Sequence, residues 1–282
     1  MGKKRKRKYS FDKTKKRKPD FDKTRQNRDG FDKTKKRKPE FKKSGQKKQS
    51  FDKTKQKFSK PKKEDINPNI CFIKGKVATK NLTPGFRVYS ELIVKKGNDE
   101  YRLWDEKKSK LAAAIKKGIT HWNIPVGNKV LYLGIADGTT ASHISDMIGE
   151  NGIIYGVEFA LKPVQNLLCI IKMHKRDNIA PIYDDAKLPG NYASIVSKTD
   201  LIYQDVAQKD QVKILLKNAK LFLKKNGMIM LALKARSVDS TKNPRQVYDD
   251  ALDELKKHFR ILDWKILDPF EKDHCFIIAT KL

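Results

Sequence analysis

From residue 129 onward, short apolar runs alternate with segments of helical periodicity. Five of these runs have the length and the β-branched or aromatic composition of strands: KVLYLG, GIIYGVEF, IAPIYD, DLIYQDV and GMIMLALKA. Such alternation predicts a parallel sheet covered by helices. Two last runs, ILDWKILD and HCFIIAT, are joined by PFEKD and predict a hairpin. The expected fold class is therefore α/β, a doubly wound sheet with a C-terminal hairpin, and a ligand should bind beyond the carboxyl ends of the strands.

The segment before this alternation has a different pattern. Between Ile70 and Trp104, the β-prone runs CFIKGKV, FRVYSELIV and YRLW are separated by Gly, Pro and Asn, which predicts a small β subdomain. The following stretch, SKLAAAIKKGI, predicts an amphipathic helix that starts near Ser109 and has Lys110 in its first turn. We therefore place the β subdomain at residues 64–105 and the larger α/β domain at 106–282.

Most of the positive charge lies before residue 64. Residues 1–63 contain 29 Lys or Arg and 7 Asp or Glu, in a chain of net charge +31. A Phe recurs every ten residues from Phe11 to Phe51, and four of the five begin the sequence FDKT. One aromatic residue in ten cannot bury enough surface to offset the entropy of ordering the rest, so this tail is predicted to be disordered. Its expected role is RNA contact, with cations on phosphates and Phe on bases, or merely solubility and localisation.

Several classes of protein are disfavoured by the sequence. The opening MGKKRKRKYS is not followed by an apolar stretch, so it is not read as a secretory signal. No apolar run is long enough to span a bilayer, and no membrane partner is expected. Cys71, Cys169 and Cys275 are odd in number and far apart, so they are predicted to be reduced thiols, and no metal is expected.

The first run of the alternating region is followed by the loop GIADGTT. Gly134 and Gly138 would let the backbone approach a ligand closely, and Thr139 or Thr140 could cap the next helix. The GxGxxG spacing that serves a pyrophosphate is absent, which argues against NAD. S-adenosylmethionine offers only a carboxylate to a helix N-terminus, so the loop is compatible with that cofactor.

Acidic residues end the next three runs. Glu158 is a candidate ligand of ribose hydroxyls, Asp185 of an adenine amino group, and Asp205 of the methionine amine or the sulfonium. Any one of these acids could be a solvated residue, but three of them would surround a cationic, adenosine-bearing ligand. Five parallel strands and a hairpin also match the Rossmann-like fold of class I methyltransferases better than a dinucleotide dehydrogenase. The sequence therefore favours S-adenosylmethionine as the cofactor.

Seven blocks of residues 70–282, in order, resemble the fibrillarin family, in its archaeal form more than its eukaryotic form. They are YRLWDEKKSKLAAAI, KVLYLGIADGTTASHISDMIG, YGVEFA, DDA, DVAQ, LKARSVD and DPFEKDHCFIIAT. Two departures stand out: Asp137 occupies a position where the family usually has a small residue such as Ser, and the FDKT repeats match neither form of the family. The resemblance favours a cytoplasmic location, as for an archaeal protein, over a nucleolar one.

The resemblance implies functional residues at the matching positions of this chain. The cofactor contacts implied, together with Gly134 from the loop, are Thr139, Thr140, Glu158, Phe159, Asp185, Ala186, Asp205, Val206, Ala207 and Gln208. The catalytic group implied is Lys110, Asp205, Lys234 and His274. Lys234 could act as a base toward a ribose hydroxyl or as a phosphate clamp, and these two roles remain open. His274 could orient the ribose or a Lys, or be structural, and His143 is expected to cap or pack a helix.

The activity implied by the resemblance is 2′-O-methylation of ribose in rRNA or tRNA, directed by a guide RNA. The partners implied are box C/D guide RNA, the target rRNA or tRNA, a Nop-domain scaffold protein and a kink-turn-binding protein of ribosomal type. No further module for reading base edges is evident, so target choice would be delegated to these partners. The alternatives are a stand-alone RNA 2′-O-methyltransferase and a non-catalytic scaffold whose basic tail binds RNA.

Overall fold

The computed structural model describes residues 67–282, all within one compact unit. The predictions made for the tail at 1–63 therefore lie outside the described residues. No helix in the described part of the chain is long and apolar enough to cross a membrane. Cys71, Cys169 and Cys275 are all free thiols, as expected.

The described chain begins with a small antiparallel sheet, as predicted. Its strands are β1 (Ile70–Ile73), β2 (Lys76–Lys80), β3 (Ile93–Lys96) and β4 (Asp99–Leu103), in the order β1-β2-β4-β3. The prediction of a strand over FRVYSELIV is wrong for its first seven residues. There the carboxylate of Glu91 accepts the backbone N–H groups of Val88 and Tyr89, both at 2.8 Å. These bonds stabilise a turn and outweigh the β propensity of the apolar residues around them.

The rest of the chain forms a seven-stranded sheet with helices on both faces. Its strands are β5 (Lys129–Leu133), β6 (Ile153–Glu158), β7 (Ile179–Tyr183), β8 (Thr199–Gln204), β9 (Leu223–Lys234), β10 (Phe259–Ile266) and β11 (His274–Lys281). The helices are α1 (Lys110–Lys116), α2 (Thr139–Ile148), α3 (Leu161–Met173), α4 (Gln211–Phe222), α5 (Ala235–Val238) and α6 (Pro244–Lys256). The strand order is β10-β11-β9-β8-β5-β6-β7. The five predicted parallel strands and the C-terminal hairpin are confirmed, with β11 inserted antiparallel between β9 and β10.

Side chains of each central strand alternate between two apolar layers. On β5, Leu131 and Leu133 pack with residues of α4 and α6, whereas Val130 and Tyr132 pack with residues of α1 and α2. This alternation follows from the two-residue period of a strand, and burial on both faces explains why the run KVLYL is continuously apolar. Full burial of each aliphatic side chain contributes about 1.5–3 kcal/mol. The layers hold the carboxyl ends of β5, β6, β8 and β9 at one edge of the sheet.

The segment QVKILLKNAKLFLKK has helical periodicity along its whole length, but the helix that it forms is shorter. α4 ends at Phe222, and β9 begins at Leu223, where the backbone is extended with φ −75° and ψ 127°. Leu223 pairs with Thr199 of β8, and its side chain is buried. Pairing with the neighbouring strand thus ends the helix three residues before the helical periodicity of the sequence ends.

A buried cluster of charges joins the small sheet to α2. Asp146 of α2 accepts four hydrogen bonds, from Arg102 and Thr79 at Oδ2 and from Arg176 and the Leu82 N–H at Oδ1. The distances are 2.7–3.0 Å, and the side chains of Arg102, Arg176 and Asp146 are inaccessible to solvent. Every lone pair of the carboxylate is therefore used, which is what burial of an ion requires.

The same cluster is electrically balanced. Arg102 also binds the buried Glu91 at 2.7 Å, so two guanidinium groups face two carboxylates. Burial alone would raise the pKa of Asp146, but the charges of Arg102 and Arg176 outweigh it and hold the pKa below its ordinary value. The cluster stays ionised while the protein is folded.

His143 packs beside this cluster, as the sequence predicted. Its ring stacks on Trp104 at 4.6 Å, Nδ1 bonds Thr79 Oγ1 at 2.8 Å and Nε2 bonds the Tyr89 hydroxyl at 2.6 Å. Burial, reinforced by the two Arg charges, lowers the pKa of His143 well below its ordinary value. The imidazole is therefore neutral in the folded protein at neutral pH.

Candidate active site

The loop after β5 brings the backbone of two strands into close approach. Gly134 has φ +78°, and a Cβ at this position would lie 2.5 Å from the carbonyl oxygen of Asp205. The N–H of Asp205 in turn donates to Leu133 O at 2.9 Å. Only glycine fits a left-handed backbone with no space for a side chain, so Gly134 holds the glycine loop against Asp205.

The start of α2 differs from the expectation that Thr139 or Thr140 would cap it. The N-cap residue is Gly138, with φ +80° and no side-chain cap, and a Cβ there would lie 2.7 Å from Leu167 Cδ1. Thr139 and Thr140 are instead the first two residues of the helix. The Thr140 hydroxyl donates to Ser109 Oγ at 2.9 Å.

This bond connects the glycine loop to α1. The helix α1 begins where the sequence predicted: Ser109 is its N-cap, and the Ser109 side chain accepts the N–H of Ala112. Lys110 is the next residue, so its backbone is fixed by a cap that Thr140 holds. The loop after β5 and the helix that carries Lys110 are therefore one bonded unit.

Glu158 lies at the end of β6, as predicted, and only 7% of it is exposed. Its Oε2 accepts the N–H of Ala136 at 3.1 Å, and its Oε1 accepts the N–H of Ala160 at 2.9 Å. These two bonds fix the carboxylate between the loops after β5 and β6. Each oxygen retains acceptor capacity, which suits a pair of vicinal hydroxyls.

The other predicted cofactor residues of this half of the sheet also follow strand ends. Phe159 comes directly after Glu158 and is 61% exposed. Asp185 stands two residues beyond β7 rather than at its end, and its Oδ1 accepts the N–H of Lys187 at 2.9 Å. Ala186 is buried, with its carbonyl bonded by Asn218 Nδ2 at 2.9 Å. The Asp184 N–H donates to Glu158 O at 3.2 Å, so the two loops are adjacent.

The loop after β8 carries the remaining predicted cofactor residues. Val206 is buried beside Gly134, Ala207 is exposed and Gln208 is half-buried. The Oε1 atom of Gln208 is inaccessible and has no hydrogen-bond partner among residues 67–282. A buried acceptor without a donor is uncommon, so this atom is suited to a donor supplied by a ligand.

Of the four predicted catalytic residues, two touch directly. Lys110 Nζ donates to Asp205 Oδ2 at 2.8 Å, and the two side chains are 21% and 24% exposed. Asp205 follows β8, and Lys110 opens α1. The pair is open to solvent on one side and available to a substrate.

Lys234 and His274 are the other two, and they face each other across β9 and β11. Lys234 ends β9, His274 begins β11, and they are partners in the register of the sheet. His274 Nδ1 lies 2.7 Å from the carbonyl oxygen of Lys272. A carbonyl can only accept, so Nδ1 carries the proton and Nε2 is left as the available nitrogen. The ammonium of Lys234 has no hydrogen-bond or ion-pair partner among the described residues.

Sequence reasoning missed two groups that support this site. Tyr132 of β5 lies beneath it, and burial together with the charge of Asp205 raises the pKa of Tyr132 well above its ordinary value. Gln211, the first residue of α4, bonds both backbone groups of Lys234. Neither is marked in the sequence: Tyr132 reads as one more apolar strand residue and Gln211 as an ordinary polar residue near a helix start.

Asp137, the unusual acid of the glycine loop, lies at the rim of the site. It is exposed, and its Oδ1 accepts a hydrogen bond from Asn166 Nδ2 of α3 at 3.1 Å. The carboxylate is thus tied to α3, in contact with solvent, which weakens its effect on a charge within the site.

The sheet order with its antiparallel β11, the glycine loop after β5 and the acid that ends β6 define a class I methyltransferase fold. A model of the fibrillarin family matches residues 63–282. The fibrillarin-like rRNA/tRNA 2′-O-methyltransferase of Pyrococcus furiosus is 48% identical over 206 residues, which cover 73% of this chain and 90% of that protein. This chain therefore belongs to the fibrillarin family.

Solved structures agree with this assignment. Fibrillarin in a fibrillarin/Nop5p complex has a TM-score of 0.69 and 42% identity, covering 76% of this chain and 98% of its own. Aeropyrum pernix fibrillarin with natively bound S-adenosyl-L-methionine has a TM-score of 0.65 and 46% identity, covering 72% of this chain and 88% of its own.

Proposed function

We propose that this protein is the catalytic subunit of a box C/D ribonucleoprotein and methylates the ribose 2′-hydroxyl of rRNA or tRNA, using S-adenosylmethionine. The observation that carries the proposal is the partly exposed Lys110–Asp205 pair, which lies against the glycine loop. At the same edge of the sheet, Lys234 is the last residue of β9 and His274 is the first residue of β11. The P. furiosus relative is named for the same activity.

The residues at this edge fit the proposed cofactor. Glu158 has acceptor capacity for ribose hydroxyls, and Gln208 has a buried acceptor without a donor. The remaining residues proposed to hold the cofactor are Gly134, Thr139, Thr140, Phe159, Asp185, Ala186, Asp205, Val206 and Ala207. When bound, S-adenosylmethionine supplies an electrophilic methyl group on a cationic sulfur.

The chain's own residues would orient and deprotonate the ribose. Asp205 offers its Oδ1 beside the oxygen that Lys110 occupies, so the carboxylate can hold a second hydrogen-bond donor. His274, fixed through Nδ1, presents Nε2 to the substrate. Lys234, without a protein partner among the described residues, can take the hydroxyl proton when neutral or bind a phosphate when charged.

Target choice is proposed to come from partners. Fibrillarin occurs with Nop5p in a solved complex, which supports a Nop-domain scaffold for this chain. Box C/D guide RNA would select the ribose by base pairing, and a kink-turn-binding protein would complete the particle. The basic tail at 1–63 is proposed as a nonspecific RNA-binding arm. In the sequence it precedes the proposed β subdomain at 64–105 and the proposed methyltransferase domain at 106–282. The relatives are archaeal, which supports a cytoplasmic location.

The test compares the isolated chain with the assembled particle. The chain alone should bind S-adenosylmethionine in calorimetry but leave a substrate oligonucleotide almost unmodified. With the Nop-domain protein, the kink-turn-binding protein and guide RNA, it should methylate one ribose, and a changed guide should move that methyl group. Site-specific methylation by the isolated chain would instead establish a stand-alone enzyme, and failure to bind the cofactor would leave only a scaffold.

The tail has a separate test. Deletion of residues 1–63 should weaken nonspecific RNA binding and flatten the plot of log affinity against log salt, because each phosphate contact releases counterions. Binding of a random RNA across a salt series measures the slope. An unchanged slope would show that the tail does not touch phosphate.

A further inference from the structure

The end of β9 lacks a strand partner on one side. The last β8 residue, Gln204, pairs with Leu231, three residues before Lys234. On its other side β9 continues beside β11 as far as the Lys234–His274 pair. The backbone of Lys234 therefore extends beyond β8, at the point where the proposed reaction needs its side chain held still.

The side chain of Gln211 fills this gap. The Lys234 N–H donates to Gln211 Oε1 at 3.0 Å, and Gln211 Nε2 donates to the Lys234 carbonyl at 3.1 Å. A primary amide is the side-chain group that supplies an acceptor and a donor side by side, so it reproduces the pairing of a neighbouring strand. Gln211 is 1% exposed, and water cannot replace these bonds without rearrangement.

Gln211 is itself anchored to β8. Its carbonyl accepts a hydrogen bond from Gln204 Nε2 at 2.8 Å, and Gln204 is fully buried. Asp205 follows Gln204 directly. The two glutamines thus form a continuous bonded path from the backbone that carries Asp205 to the backbone that carries Lys234.

The geometry points to Gln211 as a positioning residue that fixes Lys234 relative to Asp205, with Gln204 as its support. This inference rests on the proposed function, because it concerns alignment for the same methyl transfer. Gln211 bonds to the backbone of Lys234 and acts through that residue. Its loss should lower kcat while the affinity for S-adenosylmethionine stays unchanged.

Two variants of Gln211 separate alignment from simple stability. Gln211→Leu removes both bonds and should lower kcat about 10- to 100-fold, since displacements near 1 Å cost up to about 100-fold. Gln211→Glu keeps an acceptor but loses the donor when ionised. A protonated carboxylic acid has both a carbonyl and an O–H, so it would restore the pairing. The kcat of Gln211→Glu relative to wild type should therefore rise as the pH falls, whereas the ratio for Gln211→Leu should stay flat.

Asn178→Leu is the matched control. Asn178 is a buried amide that binds the carbonyls of Ser145 and Gly149, just before β7 and at the opposite edge of the sheet from the site. This variant should lose thermal stability but keep its kcat. Equal kcat for Gln211→Leu and wild type, or equal loss in Gln211→Leu and Asn178→Leu, would overturn the positioning role. An inactive wild type, assayed alone and in the particle, would overturn the proposed function together with it.

Discussion

Asp146 and Asp205 both pair with cations, but their surroundings differ in hydrogen bonding and in exposure to solvent. Asp146 accepts four hydrogen bonds, binds two Arg residues and is closed to solvent. Asp205 binds Lys110 through one oxygen, and about a quarter of its side chain is exposed. The first carboxylate has no acceptor capacity left, and the second keeps most of it.

The contrast separates a charge whose hydrogen bonds all serve the fold from one that can still bind a ligand. A buried ion is tolerated only when all of its hydrogen-bonding capacity is used, so it can do nothing else. A partly exposed pair adds little to stability but can exchange partners with a ligand. Substitution of each Asp by the isosteric Asn should therefore affect different properties.

The largest effect is expected from Asp146→Asn. The change leaves Glu91 as the one carboxylate of the cluster, facing both Arg102 and Arg176. It also places the NH2 group of the new amide against hydrogen-bond donors that Asp146 had accepted. Removing one partner of a buried ion network costs about 3–5 kcal/mol, a large part of the total stability of a domain. Urea denaturation should show a lower midpoint at an unchanged slope. A midpoint equal to wild type would show that the cluster does not hold the small sheet to α2.

Asp205→Asn should lower activity strongly and stability only slightly, the opposite of Asp146→Asn. Loss of the carboxylate removes the partner of Lys110 and an acceptor for substrate, and we expect kcat to fall about 100- to 1000-fold, or about 3–4 kcal/mol. The melting temperature should shift little, because the Lys110–Asp205 pair is partly exposed. The assay is methyl transfer in the assembled particle, with calorimetry to follow cofactor affinity. Full activity of this variant would remove Asp205 from the catalytic group.

The closed cluster should also make stability depend on pH. The pKa of His143 is lower in the folded state than its ordinary value of 6.5. Below that pH, His143 therefore binds a proton in the unfolded chain but stays neutral in the folded chain. Stability is therefore full above about pH 6.5 and falls below it, by up to about 1.4 kcal/mol per pH unit. The free energy of unfolding, measured from pH 7 to pH 5, gives the slope.

His143→Gln should flatten that slope even if it lowers the stability at every pH. His174→Gln is the matched control, because the pKa of His174 is also lowered, by burial and then by Arg176, but His174 is only half-buried. It should change the slope less. An identical slope in wild type and His143→Gln would show that His143 is not held neutral by the fold.

The smallest effect is expected from Asp137→Ser at the rim of the open site. Removal of an exposed negative charge should raise the affinity for S-adenosylmethionine, whose carboxylate is expected near the start of α2. Two unit charges 4 Å apart in water interact with an energy of about 1 kcal/mol, so the affinity should rise no more than about fivefold. Calorimetry at low and high salt would test it, and the gain should shrink at high salt. A lower affinity would mean that the Asp137–Asn166 bond shapes the loop.

The open site could largely be predicted from the sequence, and the closed cluster could not. Apolar runs mark β5 to β9, and Glu158 and Asp205 stand where such runs end, so strand topology alone brings them to one edge. The partners of Asp146 lie 44 and 30 residues away at Arg102 and Arg176. Charged residues are usually exposed, and no local pattern indicates that these three are buried together.

The same limit explains the errors of detail. The strand predicted at FRVYSELIV fails because Glu91 is bound by Arg102 across the small sheet and then organises its own turn. Gln211 was missed because its role depends on where β8 ends relative to β9. Local propensity indicated the helices and strands, whereas tertiary contacts decided where they end and which polar side chains bond to each other.

The bond from Thr140 to Ser109 has a consequence for the order in which ligands bind. Thr140 belongs to the loop that would hold the cofactor, and Ser109 caps the helix whose first residue, Lys110, is proposed to face the substrate. If occupancy of the loop tightens this bond, the two ligands are thermodynamically coupled, and whatever factor the cofactor adds to RNA affinity, RNA must add to cofactor affinity. Methyl donor and acceptor would then favour each other's presence through a single hydroxyl, without any movement of domains.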